Sequence, residues 1–412
     1  MQFGSRRMRL VVTGATIAWL IGVALVRSGT GMSIRATAAS ASPSIKKTEP
    51  AVVLSPACGR PGFVQAGAQA GSPQRPQMSE EAFKNVQLLK GIPVDEFMGA
   101  MGLFSAATSM CCLECHAPDW AADTPRKITT RKMIQMVNTI NRTNFSGRKV
   151  VSCWTCHRQS DRPQVTPTLD VVYGEPIYWA PDDLFQQAVG APSPDKVLDK
   201  YIQAVGGAER LARLTSFVGK GSSTLFGGGF KSAFEVYVKA PNQRTTIIHQ
   251  ELGDKTTTFD GRAGWLASAV TPVPVLELTG GELDGARLDA ELSIPGRVKQ
   301  VLGQWRSNLP SSIAGRSVNV LQGMGAGGVA TLYFDEESGL LTRVVRYANS
   351  AMGRVPTQID YADYREVAGV KIPFKWAFAW VSGRDEVQLT EVQPNVAIAA
   401  AKFAKPAPAV AR

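Results

Sequence analysis

The feature that most constrains this chain is a pentapeptide, Cys-x-x-Cys-His, that occurs twice. The copies read CLECH at Cys112–His116 and CWTCH at Cys153–His157. The whole chain of 412 residues contains only six cysteines and three histidines, and the two pentapeptides use four and two of them. Two thiols at this spacing form thioether bonds to the two vinyl groups of one haem, and the adjacent histidine becomes an axial ligand of its iron. The sequence therefore predicts two covalently attached haem c groups.

Other uses of paired cysteines agree less well with this pattern. Between Cys115 and Cys153 lie 37 residues, whereas the common zinc pattern separates its pairs by roughly 15–20. A thioredoxin-like pair would occur once and near a βαβ pattern. Structural disulfides form in exported proteins, but they do not explain a histidine after each pair. We therefore expect Cys112, Cys115, Cys153 and Cys156 to attach haem, and His116 and His157 to be the proximal iron ligands.

Each iron also needs a ligand on its opposite side. The remaining histidine, His249, lies on a predicted strand and cannot serve two haems. Methionine is the usual alternative, and a Met/His pair raises the reduction potential. Each motif has two apolar methionines upstream at helical spacing, Met98 and Met101 for the first and Met133 and Met136 for the second. Methionines in this pattern are more often core residues, and spacing alone does not choose within either pair.

The region from 79 to 162 has helical patterning with an internal repeat. The segment SEEAFKNVQLLKG predicts a helix that begins at Ser79 and ends at Gly91, and a second helix is predicted in PVDEFMGAMGLFSAAT after Pro93. A third follows in TTRKMIQMVNTINR. The second and third helices are each followed by a loop and then by Cys-x-x-Cys-His. This repeat of helix, loop and motif predicts an all-α multihaem c-type cytochrome unit.

Three stretches of this region, DEFMGAMGLF, TRKMIQMVNTIN and VSCWTCHR, resemble the photosynthetic reaction-centre cytochrome c subunit family. In that family each haem unit is a helix with the methionine ligand, a turn and the attachment motif. The resemblance places Met101 and Met133 in the ligand positions, and it implies electron exchange with redox partner proteins. The photosynthetic members carry four haems, whereas this chain has motifs for two. Residues 195–412 have no counterpart in the photosynthetic subunit.

The N-terminus has the pattern of a targeting segment. Arg6, Arg7 and Arg9 precede an uncharged apolar run from Leu10 to Val26, which is typical of a signal peptide or a single membrane anchor over 1–34. Residues 35–78 are rich in Ala, Ser, Pro, Gly and Gln and are expected to form a low-complexity tether. The predicted location is the periplasmic side of the cytoplasmic membrane. The net charge of +11 is spread along the chain without a nucleic-acid-binding motif, so we exclude a nucleic-acid partner.

A linker is predicted over 163–193, and a β-rich domain with helices over 194–405. Strand alternation is clearest in VKIPFKWAFAWVSG, where Ile372, Phe374, Trp376, Phe378 and Trp380 share one face. A helix is predicted in PGRVKQVLGQWRS. The expected fold is α+β, with a large curved antiparallel sheet. The stretch TTTFDGRAGW weakly resembles the periplasmic lipoprotein-carrier fold, which implies an acyl-chain site; we expect the aromatic face to be ordinary core instead.

These observations predict a multi-domain protein that functions as an exported di-haem c-type cytochrome in single-electron transfer, not as an enzyme. With methionine and histidine on each iron, no coordination position is open to a substrate. Two alternatives stay open. One is a di-haem oxidoreductase or peroxidase-like subunit, in which one iron has an open face. The other is a β-domain that binds a lipid or quinone, with the haems acting as a sensor.

Overall fold

The computed structural model describes residues 75–174, 183–225, 229–325 and 328–409. The predicted leader or anchor and nearly all of the predicted tether lie outside these ranges. All described residues belong to one unit, Ala51–Arg412. None of the helices within the described ranges combines the length and the apolar character that a membrane span requires.

Helices make up the regular structure of the first range. They are α1 Ser79–Ala82, α2 Val94–Thr108, α3 Cys112–Cys115, α4 Pro125–Asn144, α5 Cys153–His157 and α6 Leu169–Val172. The two long helices, α2 and α4, confirm the sequence prediction. Helix α2 begins after Pro93 and ends at Ser109, which adopts a left-handed conformation. Helix α4 begins after Thr124, whose side chain accepts a hydrogen bond from the Lys127 backbone N–H, as in a typical N-cap.

The predicted helix from Ser79 to Gly91 is wrong beyond its first turn, because α1 ends at Ala82. The Ser79 hydroxyl, buried in the structure, donates to the Leu89 carbonyl at 2.5 Å. The Glu80 carboxylate accepts a hydrogen bond from the Gly91 N–H at 2.8 Å. These bonds fold the segment back on itself, since side-chain bonds to the backbone compete with helical ones.

Fourteen strands form one sheet in the described part of the chain, and every pair in it is antiparallel. They are β1 Ser216–Leu225, β2 Lys231–Lys239, β3 Gln243–Gln250, β4 Gly253–Phe259, β5 Gly264–Ala267, β6 Val275–Leu278, β7 Gln304–Ser307, β8 Ser311–Ile313, β9 Arg316–Gly325, β10 Gly328–Asp335, β11 Leu341–Ser350, β12 Gly353–Val367, β13 Val370–Trp380 and β14 Gly383–Pro394. The order is β6-β5-β4-β3-β2-β1-β14-β13-β12-β11-β10-β9-β7, with β8 paired to β9. Two meanders therefore meet where the first strand pairs with the last.

The sheet is accompanied by helices α7 Pro194–Ala204, α8 Ala208–Arg213, α9 Gly280–Ser293 and α10 Val298–Val301, and by 3₁₀ turns at Pro295–Arg297 and Ala400–Phe403. A large antiparallel sheet with helices confirms the α+β prediction for this region. Helix α7 begins after Ser193, whose hydroxyl accepts a hydrogen bond from the Lys196 backbone N–H.

The helix predicted in PGRVKQVLGQWRS is wrong. That stretch forms a 3₁₀ turn, the single turn α10 and strand β7, whereas the longer helix, α9, precedes it. The three glycines of α9 lower its helix propensity, so its residue pattern does not indicate a helix. Tertiary packing explains one of these glycines, because a Cβ at Gly285 would lie 2.0 Å from Arg346 Nη1. Helix α9 therefore depends on packing against β11 more than on its own propensity.

The main core lies between the sheet and helices α7, α8, α9 and α10. Ile372, Phe374 and Trp376 of β13 are buried in it, and Phe378 packs against it from a half-buried position. Four of the five residues of the predicted face therefore belong to the core or pack against it, whereas Trp380 is half-buried outside this cluster. A smaller core cluster contains side chains of α2 and α4 together with Met352 from the β11–β12 turn.

Replacement of Leu332 by alanine should lower the free energy of unfolding by about 2–5 kcal/mol, since this β10 side chain is 0% exposed and its loss leaves a cavity. Leu309→Ala is the matched control, because Leu309 is 58% exposed; its effect should stay within about 0.5 kcal/mol. Urea unfolding of both variants measures the difference. Equal losses of unfolding free energy in the two variants would contradict the burial of Leu332 in the core.

Candidate functional site

The first pentapeptide is held between the end of α2 and the beginning of α4. Its cysteines lie on the single turn α3, where the Cys111 N–H donates to the Glu114 carboxylate at 2.7 Å. From α4, the Thr124 hydroxyl donates to the Cys115 carbonyl at 2.6 Å and Arg126 Nη1 to the Glu114 carbonyl at 2.9 Å. The N-terminal turn of α4 therefore fixes the backbone of the first motif.

The second pentapeptide is positioned by the other end of α4, through one side chain. Asn141 is buried, and its Nδ2 donates to the Val151 carbonyl at 2.8 Å. Its Oδ1 accepts hydrogen bonds from the N–H groups of Val150 and Val151 at 3.1 and 2.9 Å. Because only Ser152 separates Val151 from α5, the asparagine fixes the backbone just before the second motif.

Helix α2 also holds the second motif, from its C-terminal end. The Ser160 N–H donates to the Ala107 carbonyl at 3.2 Å, and the Ser109 hydroxyl donates to the Gln159 carbonyl at 2.8 Å. Helices α2 and α5 pack directly against each other. The second motif therefore contacts the helix that precedes the first motif, a relation that the linear repeat does not show.

All four motif cysteines are free thiols. Cys112 and Cys156 are exposed, whereas Cys115 and Cys153 are partly buried. Burial raises the pKa of the Cys153 thiol to about 11, and it raises the pKa of Cys112 and Cys115 as well. Unpaired thiols at this spacing are the groups from which the thioethers of haem c form.

The ring nitrogens of the two motif histidines have different surroundings. His157 Nδ1 lies 2.9 Å from the Ser160 carbonyl, which can only accept; Nδ1 therefore carries the proton and Nε2 is the nitrogen available to a metal. The Nδ1 of His116 is buried and has no hydrogen-bond partner among the described residues. Burial, and then the charge of Lys127, lowers the pKa of His116 and favours the neutral imidazole, the form that binds iron.

The methionines predicted as ligands are half-buried on their helices. Met101 of α2 packs against the same apolar cluster as Cys153 of the second motif. Met98 and Met133 are also half-buried, whereas Met136 is 43% exposed. The assignment of Met101 to the first haem and Met133 to the second stays a prediction.

Sequence reasoning missed two methionines close to the motifs. Met110 Sδ lies 3.8 Å from Cys115 Sγ. It lies two residues before the first motif but outside α2, so helical spacing does not identify it as a candidate ligand. Met352 shares the apolar cluster that contains Cys153, yet no local pattern connects a hairpin in the sheet with that motif.

The donor set fits haem c better than a bare metal ion. Among the described residues, no group of three or more His, Cys, Asp and Glu side chains is arranged to hold a metal ion. What each motif does offer is two free thiols on a single helical turn, with the histidine directly after that turn in the first motif and as its last residue in the second. A free thiol pair and a neutral imidazole are what covalent haem attachment requires.

The sheet also has a small cavity, in the region where the carrier-fold resemblance implies a ligand. Trp376 and Phe378 line it, together with Arg244, Asp289 and Tyr361. Its volume is about 50 Å³, which is room for a few water-sized groups. The Asp289 carboxylate is 3.3 Å from the buried Arg346 guanidinium, so its charge is balanced within the protein. Nothing here favours an acyl-chain site over core packing.

Comparison with known families agrees with the motif chemistry. Residues 34–173 match the photosynthetic reaction centre cytochrome C subunit family. The match covers both Cys-x-x-Cys-His motifs and ends before α7. It confirms the resemblance seen in the sequence, and it implies covalently bound haem c and electron transfer for this segment. No protein with curated annotation matches the chain.

Solved structures resemble about half of the chain at low similarity. A DUF1329 family protein from Desulfovibrio piger is 11% identical, with a TM-score of 0.35 over 50% of this chain and 97% of that one. A LolA superfamily protein from Nitrosomonas europaea is 14% identical, with a TM-score of 0.34 over 52% and 99%. An outer membrane lipoprotein-sorting protein domain from Vibrio parahaemolyticus is 13% identical, with a TM-score of 0.30 over 50% and 96%. The last two names agree with the weaker sequence resemblance, but TM-scores this low support no inference about a ligand.

Replacement of Asn141 by alanine should destabilise the segment before the second motif by about 1–3 kcal/mol, because three hydrogen bonds to the backbone of Val150 and Val151 are lost. Urea unfolding gives the stability, and hydrogen exchange of the Val150 and Val151 amides should become faster. The exposed Asn138 on the same helix provides the control, Asn138→Ala, which should change neither. Unchanged exchange in the Asn141 variant would exclude this role.

Proposed function

We propose that this protein is an exported di-haem c-type cytochrome that transfers single electrons between redox partner proteins. The observation that carries the proposal is the repeated motif. Each copy has two unpaired thiols and a histidine suited to iron, and both lie within the segment that matches the cytochrome family. The helices of 79–162 are then an all-α haem unit, followed by a linker over 163–193 and a β-rich domain over 194–405.

Each residue has a definite role in this proposal. Cys112 and Cys115 attach the first haem, and Cys153 and Cys156 attach the second. His116 and His157 are the proximal ligands, and Met101 and Met133 are the distal ones. Haem c supplies an iron that changes between ferric and ferrous states, and thioether sulfur favours the ferrous state.

The ligand set favours a carrier over an enzyme. Histidine and methionine together leave no coordination position of the iron for a substrate. The protein would then transfer electrons without making or breaking a bond in a substrate. The small cavity of the sheet does not favour the lipid- or quinone-binding alternative. The di-haem oxidoreductase alternative needs one iron with an open face, which a ligand-binding measurement can detect.

Location on the periplasmic side of the cytoplasmic membrane is part of the proposal. The basic and apolar pattern of residues 6–26 supports export. The family match supports the same location, since the resemblance is to a cytochrome subunit that functions outside the cytoplasm. Export as an unfolded chain is consistent with attachment of the cofactors after translocation.

Protein matured in a host that attaches haem c should carry two haems per chain. A pyridine haemochrome assay gives the number, and the intact mass gives covalent attachment. Cys153→Ser with Cys156→Ser should remove one haem and leave the other, because each motif attaches its own. Cys111→Ser is the control, since Cys111 lies outside both motifs, and it should keep two haems. A colourless wild-type product, or one haem in it, would contradict the proposed function.

Replacement of Met101 or Met133 by alanine should leave both haems attached, because neither residue forms a thioether. Each change should lower the reduction potential of one haem and remove one of the two red thioether-to-ferric charge-transfer bands. Potentiometric titration followed by absorbance measures both effects.

Met98→Ala and Met136→Ala are matched controls on the same helices. If Met98→Ala removes a band and Met101→Ala does not, Met98 is the ligand of the first haem. The same comparison of Met136→Ala with Met133→Ala identifies the ligand of the second haem. Carbon monoxide binding to the reduced wild-type protein would favour the oxidoreductase alternative instead.

A further inference from the structure

The turn between β11 and β12 reaches from the sheet into the helical region. Strand β11 ends at Ser350 and β12 begins at Gly353, so only Ala351 and Met352 lie between them. The Ser350 hydroxyl is fully buried; it donates to the Gly353 carbonyl at 2.7 Å and accepts from the Met352 N–H at 3.3 Å. Gly353 has φ +143°, a value that favours glycine. The turn is therefore fixed by its own hydrogen bonds and backbone conformation.

Met352 lies in the core of the helical region, not in the core of the sheet. Its side chain is 2% exposed. It belongs to the cluster formed by Leu89, Ala100, Leu103, Ile134 and Val137, with Met101 and Cys153 packed against the cluster from half-buried positions. A side chain of the second domain thus completes the apolar core beside the second haem-attachment motif.

The backbone of the turn also lies against that motif. A Cβ at Gly353 would be 3.5 Å from Ser152 Cβ and 3.5 Å from Leu103 Cδ2, which is van der Waals contact. Ser152 is the residue that directly precedes α5. In addition, Lys149 Nζ donates to the Ser350 carbonyl at 2.6 Å. The segment leading into the second motif is therefore held from two sides, by Asn141 of α4 and by this turn.

The first motif is held differently. Its hydrogen bonds come from Thr124 and Arg126, both at the N-terminal end of α4. The two motifs therefore differ in what positions them, although their sequences repeat.

We propose that the β11–β12 turn is a positioning element for the second haem site, with Met352 as its central residue. The inference rests on the proposed function, since it assumes haem at Cys153–His157. Met352 is 2% exposed within this cluster, and the role assigned to it is packing of the motif, not ligation of the iron. The β-rich domain then has a function in the redox centre itself, because its turn lies against the segment that leads into the second attachment motif.

The physical consequence of losing this contact is specific. Met352→Ala leaves a cavity in the cluster that contains Cys153, and the surroundings of the second motif become looser and more accessible to water. Water stabilises the more highly charged ferric state, so the reduction potential of the second haem should fall. The first haem meets this cluster through Met101, whereas its attachment motif is held at the start of α4, so its potential should fall by less.

The experiment uses the full chain in two single-haem backgrounds. Cys112→Ser with Cys115→Ser leaves only the second haem, and Cys153→Ser with Cys156→Ser leaves only the first. Met352→Ala is introduced into both, and potentiometric titration with absorbance measures each haem separately. The midpoint should move to lower potential in the first background and should move by clearly less in the second.

Two further variants separate positioning from general loss of folding. Met352→Leu keeps the side-chain volume and should restore the midpoint of the second haem. Met352→Val leaves a smaller cavity and should give an intermediate shift; it serves as the test if the alanine variant does not fold. Met324→Ala in β9 is the matched methionine control in the sheet, and both midpoints should be unchanged in it.

The outcomes distinguish the inference from the proposed function. Two haems in the wild type, with equal midpoint shifts in both backgrounds or with no shift in either, would overturn the role of the turn and leave the cytochrome proposal intact. A wild type without two haems would overturn the proposed function first. A shift that is clearly larger at the second haem, and that leucine restores, establishes the positioning role.

Discussion

Close packing of helix α2 against the sheet is the contact on which the rest of the described structure depends. A Cβ at Gly102 would lie 2.7 Å from Val381 Cγ2, so only a glycine allows the helix to approach this near. One turn earlier, a Cβ at Gly99 would reach contact distance of Val355 and Ser350. The same helix packs against α5 with the second motif. The haem-attachment region and the sheet are therefore joined through one helix that contacts both.

A buried carboxylate reinforces this junction. Asp95 in the first turn of α2 is 5% exposed, and it accepts hydrogen bonds from the backbone N–H and the hydroxyl of Thr279, directly before α9. A buried charge is costly unless hydrogen bonds replace its water, and here two donors of the sheet domain do so. Helix α9 in turn packs on β11, where Arg346 pairs with Asp289. Polar contacts thus continue from α2 to the interior of the sheet. They fix the position of the haem-attachment region against the sheet.

How much could be predicted from the sequence differed between elements for physical reasons. Helices α2 and α4 were predictable because apolar residues recur at helical spacing, and Pro93 marks the beginning of α2; the start of α4 at Pro125, four residues before the predicted stretch, was not predicted. Strand β13 was predictable because its large apolar residues alternate with smaller or charged ones. Helix α9 was not, since Gly285 is there to make room for Arg346, a residue of a distant strand. The short α1 was overestimated, because the bond from Ser79 to Leu89 is invisible to periodicity.

The sequence by itself determined the chemistry of the candidate site. The spacing of two thiols and a histidine is local, so Cys112–His116 and Cys153–His157 could be recognised without any fold. Tertiary structure decided what surrounds each motif: Asn141 before the second, Thr124 and Arg126 on the first, and Met352 from a hairpin about two hundred residues away. The reason is that covalent attachment needs only neighbouring residues, whereas burial and packing depend on segments that meet only after the chain has folded.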